Sequence, residues 1–351
     1  GEFGYSAHKD PYNKAKWRHS GHVKFTYSGL YPVIETSFDF NDRGLRQYNV
    51  GTYTDGKTGF VELRSREVNA PYFEGKIAAY IPFKFSGKGW YSGFIPRVSY
   101  TFTNDRFNKS LVMMGYGDMG TAGYPTFLGA DKGRNIFRQY LTASVRGYTM
   151  LATPNSAVYP KWGACLEIGA STNLGLEKYI SPTGYVYGYC YMPGVVPEQG
   201  LKLTAVYQQI LSQKSFFGQA VVNVLPRGLQ ENVQLLSWIS TRTPSIVKMS
   251  ADYAIPVYIG DLVLGINVLA VKRLVVTPNF DCTIIGKRAL WSAGADLAFD
   301  LESILTIEFP ITLGITYSYN GGFNGSFNAL QNESGTEMKR HFFGPIFNVV
   351  F

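Results

Sequence analysis

Residues 305–320 read LTIEFPITLGITYSYN and alternate between two kinds of side chain. One set of alternate positions is apolar throughout: Leu305, Ile307, Phe309, Ile311, Leu313, Ile315, Tyr317 and Tyr319. The intervening positions carry threonine, serine, asparagine, glycine, proline and a single glutamate. Successive side chains of a β-strand point to opposite faces, so this period of two predicts a strand with one apolar side. Strands of soluble domains typically have about five or six residues. The longer alternation predicts a membrane-spanning strand whose apolar side faces lipid.

The same pattern recurs along the chain. It is found in GKIAAYIPFKF (75–85), KWGACLEIGASTNL (161–174), VKMSADYAIPV (247–257), ALWSAGADLAFDL (289–301) and HFFGPIFNVVF (341–351). Repeated long alternation is typical of transmembrane β-barrels, which are apolar outside and polar in the lumen. The sequence therefore predicts an all-β fold, a transmembrane antiparallel up-and-down β-barrel.

The number of strands follows from the positions of such segments. We predict strands near residues 21–29, 32–41, 73–85, 90–103, 137–150, 162–174, 201–211, 214–225, 246–257, 262–278, 288–301, 305–320 and 342–351. Single-chain bacterial barrels have even strand numbers, so one further strand is expected, and the stub GEFGYS supplies part of it. We therefore expect about 14 strands, with 12 or 16 as the alternatives. Residues 1–20 are assigned to this N-terminal stub and residues 21–351 to the barrel.

Connectors of two lengths separate these segments. Short connectors are predicted near residues 28–31, 86–89, 211–213 and 258–261, and long ones near 42–70, 104–136, 175–200, 226–244 and 321–340. This asymmetry predicts short periplasmic turns and long extracellular loops. Residues 114–133 are expected to form an inserted plug or a surface lid. The aromatic segment TGYVYGYCYMPG (183–194) is expected to bind sugars or partners, or to pack over the barrel mouth.

The composition excludes several classes of protein. The 351 residues are 45% hydrophobic and 17% charged, and no apolar run is long enough for a transmembrane helix. The net charge of +8 is dispersed without a basic cluster beside a stacking platform, so no nucleic-acid partner is expected. The three cysteines show no metal-ligand spacing and leave a Cys190–Cys282 disulfide as an open alternative.

No catalytic or cofactor-binding motif is present. The sequence contains no G-x-S-x-G elbow, no H-E-x-x-H motif and no phosphate-binding loop. Of the four histidines, His19 and His22 are close in sequence but have no carboxylate partner beside them. We therefore expect no enzymatic activity, no metal and no cofactor.

The strand alternation places charged side chains on the polar, lumenal side. They are Lys84, Arg97, Glu167, Lys202, Lys248, Asp252, Asp296, Asp300 and Glu308. Because both signs are present, two interpretations remain open. The side chains either pair in a network that fills a narrow lumen, or they form a charged constriction that steers solutes.

Aromatic residues are expected at both edges of the apolar belt. Trp90 and Trp162 lie beside short turns, while Trp291, Tyr317 and Tyr319 lie beside long loops. Tryptophan and tyrosine concentrate at membrane–water interfaces. These five residues are therefore predicted to form interfacial aromatic girdles.

The last strand resembles the C-terminal signal that is read by the outer-membrane barrel-assembly machinery. The matching positions are Phe343, Phe347, Val349 and Phe351. This resemblance implies a location in the bacterial outer membrane, contact with its lipid, and the assembly machinery as a partner during insertion.

Two longer stretches are similar to the C-terminal barrels of large outer-membrane proteins of the Bacteroidota. They are GHVKFTYSGLYPVIETSFDFNDRG (21–44) and GADLAFDLESILTIEFPITLGITYSYNGG (294–322). Some of those proteins carry a TolB-like propeller ahead of the barrel, and no propeller sequence lies within these 351 residues. The resemblance implies a membrane anchor or accessory subunit of an envelope transport or assembly complex, with partner proteins. The alternative is a porin-like or gated channel for small solutes.

Overall fold

A computed structural model describes residues 1–9, 17–41, 46–49, 64–67, 72–108, 135–153, 157–175, 181–212, 221–230, 232, 235–236, 239, 243–264, 269–304, 311–334 and 337–350. The strands are β1 (Glu2–Lys9), β2 (Trp17–Tyr27), β3 (Val33–Asn41), β4 (Arg46–Asn49), β5 (Arg64–Glu67), β6 (Tyr72–Tyr80), β7 (Phe83–Gly87), β8 (Trp90–Asn108), β9 (Asn135–Leu151), β10 (Gly163–Asn173), β11 (Thr183–Pro193), β12 (Gly200–Ile210), β13 (Ser245–Leu264), β14 (Leu269–Ile285), β15 (Arg288–Ile304), β16 (Ile311–Gly322) and β17 (His341–Val350). The helical elements are η1 (Arg227–Leu229), η2 (Phe323–Gly325) and α1 (Ser326–Ser334). Within the described ranges, no helix has both the length and the apolar character needed to cross a membrane.

In the described part of the chain, fifteen strands form one antiparallel sheet in which neighbours follow chain order, and β4 and β5 form a separate two-stranded sheet. β6 pairs with β3 on one side and β8 on the other, and β1 pairs with β17, so the pairings return to their starting strand. β6 and β7 pair in succession with β8 and share one position, which gives 14 positions around the ring. The predicted all-β, antiparallel up-and-down fold is confirmed.

A proline accounts for the interruption between β6 and β7. Ile81 still donates its backbone N–H to the carbonyl oxygen of Pro96, at 3.2 Å. Pro82 follows immediately and has no N–H to donate to a ladder. The strand therefore resumes at Phe83, where the pairing with β8 continues at Phe94.

The connectors differ in length between the two ends of the sheet, with three departures from expectation. One end has the long connectors 42–71, 109–134, 211–244 and 323–340, and the other has the shorter 28–32, 88–89, 194–199 and 265–268. Residues 258–261, predicted as a turn, lie inside β13, and residues 211–213 begin a long connector. A two-residue turn, 286–287, also lies at the end with the long connectors. The predicted plug or lid at 114–133 lies outside the described residues.

Two strand assignments were wrong and offset each other in the count. The segment 183–194, predicted as an aromatic loop, contains β11. Its tyrosines pair laterally with residues on the inner side of the sheet; Tyr187, for example, lies opposite Glu167. The large side chains of β11 therefore face inward, and the strand lacks the row of large apolar residues that marks the outer side of the other strands. The segment 214–225 was predicted as a strand, but its described residues, 221–225, are not in a strand.

The N-terminal residues take part in the sheet. β1 pairs with β2 from Glu2 to Lys9 and with β17 from Glu2 to Gly4. Residues 17–20, assigned to the stub, belong to β2.

The two sides of the sheet differ in chemistry. On the outer side, Phe38, Val145 and Ile168 are 54%, 52% and 56% exposed. On the inner side, Ser99 and Thr101 of β8 are buried. Because register fixes which side each residue faces, the pairing of 14 positions places an apolar surface outside and a polar one inside.

A glycine marks a close approach between β15 and β16. A Cβ atom at Gly294 would lie 1.9 Å from the carbonyl oxygen of Tyr317, a backbone atom. We therefore expect Gly294→Ala to lower the free energy of unfolding by about 1–3 kcal/mol, because strand separation must increase. Gly147→Ala in β9 is the matched control, since nothing lies within 4 Å of its added Cβ.

Urea titration of both variants in detergent, read by the mobility shift between unheated and boiled samples, measures this difference. Equal midpoints for the two variants would contradict the close packing of β15 on β16.

Candidate functional site

The inner side of the barrel carries most of the charged residues predicted for the lumen. One row of laterally paired positions contains Glu167, Tyr187, Val206 and Lys248. A second row contains Lys202 and its partner Asp252. Such rows show that these side chains share one side of the sheet, because lateral partners project to the same face.

The remaining predicted lumenal residues are placed as follows. Arg97, Asp296 and Asp300 are partly buried and form ion pairs. Lys84 of β7 lies opposite Gly93 of β8 and is exposed. Glu308 lies outside the described residues.

Two ion pairs connect strands on the β3–β11 side. Arg97 of β8 pairs with Glu35 of β3. Arg146 of β9 donates from Nε to Oε2 of Glu167, at 2.7 Å. The hydroxyl of Tyr185 donates to the other oxygen of Glu167, also at 2.7 Å. Glu167 is therefore held by two strands at once.

Asp300 is paired near the other end of the barrel. Arg273 of β14 donates from Nε to its Oδ2, and Thr312 donates from Oγ1 to its Oδ1 at 2.9 Å. The same arginine donates from Nη1 to the carbonyl oxygen of Ala157, at 3.1 Å. Ala157 belongs to the connector between β9 and β10 and is buried. This connector therefore packs against the barrel at the end with the shorter turns.

A segment of the long connector between β12 and β13 packs against the inner side of the barrel. We call its described residues, 221–230, 232, 235–236 and 239, the inserted segment. Its side chains Val224, Leu225, Leu235 and Ile239 are completely buried. They form one apolar cluster with residues of the barrel and of α1, namely Ile246, Ile285, Leu290, Phe327 and Leu330. Full burial of each such aliphatic side chain contributes about 1.5–3 kcal/mol, so the cluster holds the segment in place.

Arg227 attaches the inserted segment to three strands. Its guanidinium donates from Nη2 to Oδ1 of Asp252 at 2.6 Å and from Nη1 to Oδ2 of Asp296 at 3.1 Å. Its backbone N–H donates to Oδ2 of Asp281, also at 2.6 Å. Burial opposes the charge of Arg227, but the three carboxylates raise the pKa of its guanidinium above the ordinary value. Arg227 therefore stays charged inside the barrel.

Backbone contacts complete the attachment. Thr283 donates from Oγ1 to the carbonyl oxygen of Val224 at 2.7 Å, and Gln208 accepts from the N–H of Val221 at 2.8 Å. Asn320 donates from Nδ2 to the carbonyl oxygen of Gly228 at 3.1 Å. A Cβ at Gly228 would lie 2.3 Å from Oδ1 of Asn320, so glycine permits this approach.

Sequence reasoning missed two members of this arrangement. Asp281 lies in β14, three residues beyond the end that was predicted for that strand, so it was not predicted to face the lumen. Arg227 lies in a connector, where alternation gives no orientation. The dipeptide Arg227-Gly228 between apolar residues was the available signal, because a charge flanked by buried side chains needs a partner.

The predicted aromatic girdle residues lie near the two rims. Trp90 opens β8 and Trp162 directly precedes β10, and both are exposed. At the opposite rim, the ring centroids of Trp291 and Tyr319 are 5.8 Å apart. The hydroxyl of Tyr317 lies 2.9 Å from Nδ1 of His341.

The predicted C-terminal signal falls only partly within the described side chains. Phe343 lies opposite Tyr317 and is 64% exposed on the outer side. Phe347 pairs with Leu313, and Val349 pairs with Ile311. Phe351 lies outside the described residues.

Cysteines and metal-binding groups show no special arrangement. Cys165, Cys190 and Cys282 are free thiols, so the open alternative of a Cys190–Cys282 disulfide was wrong. Within the part of the chain that the structure describes, no group of three or more His, Cys, Asp or Glu side chains is arranged to hold a metal ion.

The fold and its interior define an antiparallel β-barrel protein with an inserted segment. No protein-family model matches the chain, and no curated protein matches it in sequence. Among solved structures, it is similar to BamA from Haemophilus ducreyi lacking POTRA domains 1–3. The TM-score is 0.43 and the identity is 10%, over 95% of this chain and 62% of that one. The chain thus spans 62% of the length of the structure it matches.

The three carboxylates around Arg227 make this side chain the strongest test of the interior. We expect Arg227→Ala to lower the free energy of unfolding by about 3–5 kcal/mol, because it leaves buried carboxylates without their cation. Arg288→Ala is the control, since Arg288 pairs with Glu333 in a solvent-exposed position. Exposed pairs contribute about 0–1 kcal/mol.

Urea titration in detergent with the same mobility readout compares the two variants. A loss for Arg227→Ala as small as that for Arg288→Ala would show that the inserted segment does not depend on this cluster.

Proposed function

We propose that this chain is an integral outer-membrane β-barrel protein that serves as a membrane anchor or accessory subunit of an envelope transport or assembly complex. It is not an enzyme in this proposal, and it requires no cofactor. Its partners are outer-membrane lipid, the barrel-assembly machinery during insertion, and envelope proteins.

The outer side of the sheet supports the membrane location. Large apolar side chains there are half exposed, among them Ile77, Val145 and Met249. Soluble monomers seldom expose contiguous apolar patches larger than a few hundred Å². A bilayer covers such a belt, and a ring of paired strands leaves no unpaired edge within it.

The packing of the inserted segment inside the barrel is the main observation that supports the anchor role. Its four fully buried side chains and Arg227 attach it to the inner side of β13, β14 and β15. A wide pore gains nothing from an apolar core built in its lumen. A barrel that holds partners at the membrane gains rigidity from such a core.

The outer side can be tested with one charge at mid-height. We expect Val145→Arg, near the middle of β9, to lower the free energy of unfolding in lipid vesicles by about 2–4 kcal/mol. Ile34→Arg, at the second residue of β3, is the control, with about 0–1 kcal/mol expected near an interface. Urea titration in vesicles measures both, and equal losses would contradict lipid contact at Val145.

Conductance distinguishes the anchor from a channel. In planar bilayers we expect no steady current from the intact protein, because the inserted segment is fixed by Arg227 and by its apolar cluster. We expect Arg227→Ala to show transient openings, since its segment is attached less firmly. The Arg288→Ala variant serves as the control and should stay silent.

A steady conductance of the intact protein would favour the alternative, a porin-like or gated channel.

The partner role is tested by affinity purification from native envelopes in mild detergent. We expect a stoichiometric envelope protein to accompany the barrel, and recovery of the barrel alone would count against an accessory subunit.

A further inference from the structure

A cavity of about 430 Å³ lies between the inserted segment and the inner side of the barrel. Val221 and Asn223 border it from the inserted segment, while Lys76 of β6 and Ser250 of β13 border it from the wall. Its walls are interior side chains, so the strands separate it from the outer apolar side. A ligand in this cavity would be a small soluble molecule.

The charges that line the cavity are unequal. Among the described residues, five cationic side chains border it, Lys76, Arg146, Lys202, Arg227 and Lys248, against two carboxylates, Glu167 and Asp252. Arg146 is matched by Glu167 and Arg227 by Asp252. The three lysines form no ion pair with any carboxylate in the described part of the chain.

Lys248 is the most informative of the three lysines. Only 7% of it is exposed, and its lateral partners are Val206 and Thr283, neither of which is charged. A buried ammonium group is costly unless a counter-charge or hydrogen bonds compensate it. The nearby carboxylates Asp252 and Asp281 favour its charge, but both also accept hydrogen bonds from Arg227. The cavity is the space into which a further counter-charge fits.

The inserted segment explains why Lys202 has no ion pair with the carboxylate opposite it. Lys202 lies directly opposite Asp252 in the register of β12 and β13, where the two would ordinarily pair. Asp252 instead accepts from Arg227 at 2.6 Å, and Nζ of Lys202 lies 5.4 Å from the ring centroid of Tyr189. Asp281 and Asp296 contact Arg227 as well but do not line the cavity.

We propose that this cavity is a binding site for a small multivalent anion of the phosphate class. Lysines bind phosphate oxygens as point charges, and three of them converge here from β6, β12 and β13. Thr204, Ser250 and Asn223 line the same cavity and supply neutral donors. The site requires the inserted segment to be in place, but it does not require that the barrel act as an anchor.

Isothermal titration calorimetry with inorganic pyrophosphate tests the proposal on the full chain in detergent. We expect one saturable site whose affinity falls as sodium chloride is raised. Lys202→Gln and Lys248→Met should each weaken binding at least about tenfold, because each removes a charge-assisted contact. Lys202→Arg should retain binding, and Glu167→Gln should strengthen it by removing a lining carboxylate.

Lys84→Gln is the matched control, since Lys84 faces the same side of the sheet but does not line the cavity. The mobility shift on boiling confirms that each variant is folded. Absence of saturable binding to the intact protein would overturn the proposal. An equal loss of pyrophosphate affinity in Lys84→Gln and Lys202→Gln would also overturn it. So would a protein that binds the neutral sugar maltose but does not bind pyrophosphate.

The outcome is separable from that of the anchor proposal. A barrel that conducts and binds pyrophosphate would contradict the closed interior and support the anion site. A barrel that neither conducts nor binds pyrophosphate would support the closed interior and contradict the anion site.

Discussion

The strand register is the constraint on which the rest of this structure depends. In a bilayer, a backbone N–H or C=O without a partner costs several kcal/mol, so each strand needs a neighbour on both sides. Closing that ring links every side-chain orientation to every other. Lys24 pairs laterally with Glu2 and with Ser37, and the same parity continues through Lys76 to Thr101. A slip of one residue would turn phenylalanine and isoleucine inward and charge outward.

This constraint explains how much of the fold could be predicted and where prediction failed. Alternation identified most strands because one side faces a uniform apolar environment. It failed at β11, where Tyr185, Tyr187, Tyr189 and Tyr191 turn their bulk toward the interior. It failed again at 214–225, where the described residues Val224 and Leu225 pack in an inner cluster with α1 and do not face the outer side. Both errors have one cause: apolar side chains were equated with the outer side, and this barrel also has apolar packing inside.

The candidate site shows the same limit at the level of single side chains. Parity alone places Glu167 and Asp252 on the inner side, but it cannot say which cations they meet. Arg146 reaches Glu167 because β9 and β10 align these two residues laterally. Arg227 reaches Asp252 from a connector whose path depends on the packing of Val224 and Leu225. Partners within the sheet follow from register, whereas partners from a connector follow from tertiary packing that no local pattern records.

The inserted segment therefore has two consequences that cannot be separated. By bringing Arg227 to Asp252, it fixes itself to the wall and removes the carboxylate that lies opposite Lys202. The attachment that stabilises the segment also leaves positive charge uncompensated beside it. If the segment left, Asp252 would become available to Lys202, and the wall would neutralise itself by an ordinary cross-strand pair. The charge of the cavity is thus a property of the inserted state, so occupancy by an anion and retention of the segment favour each other through the same carboxylate.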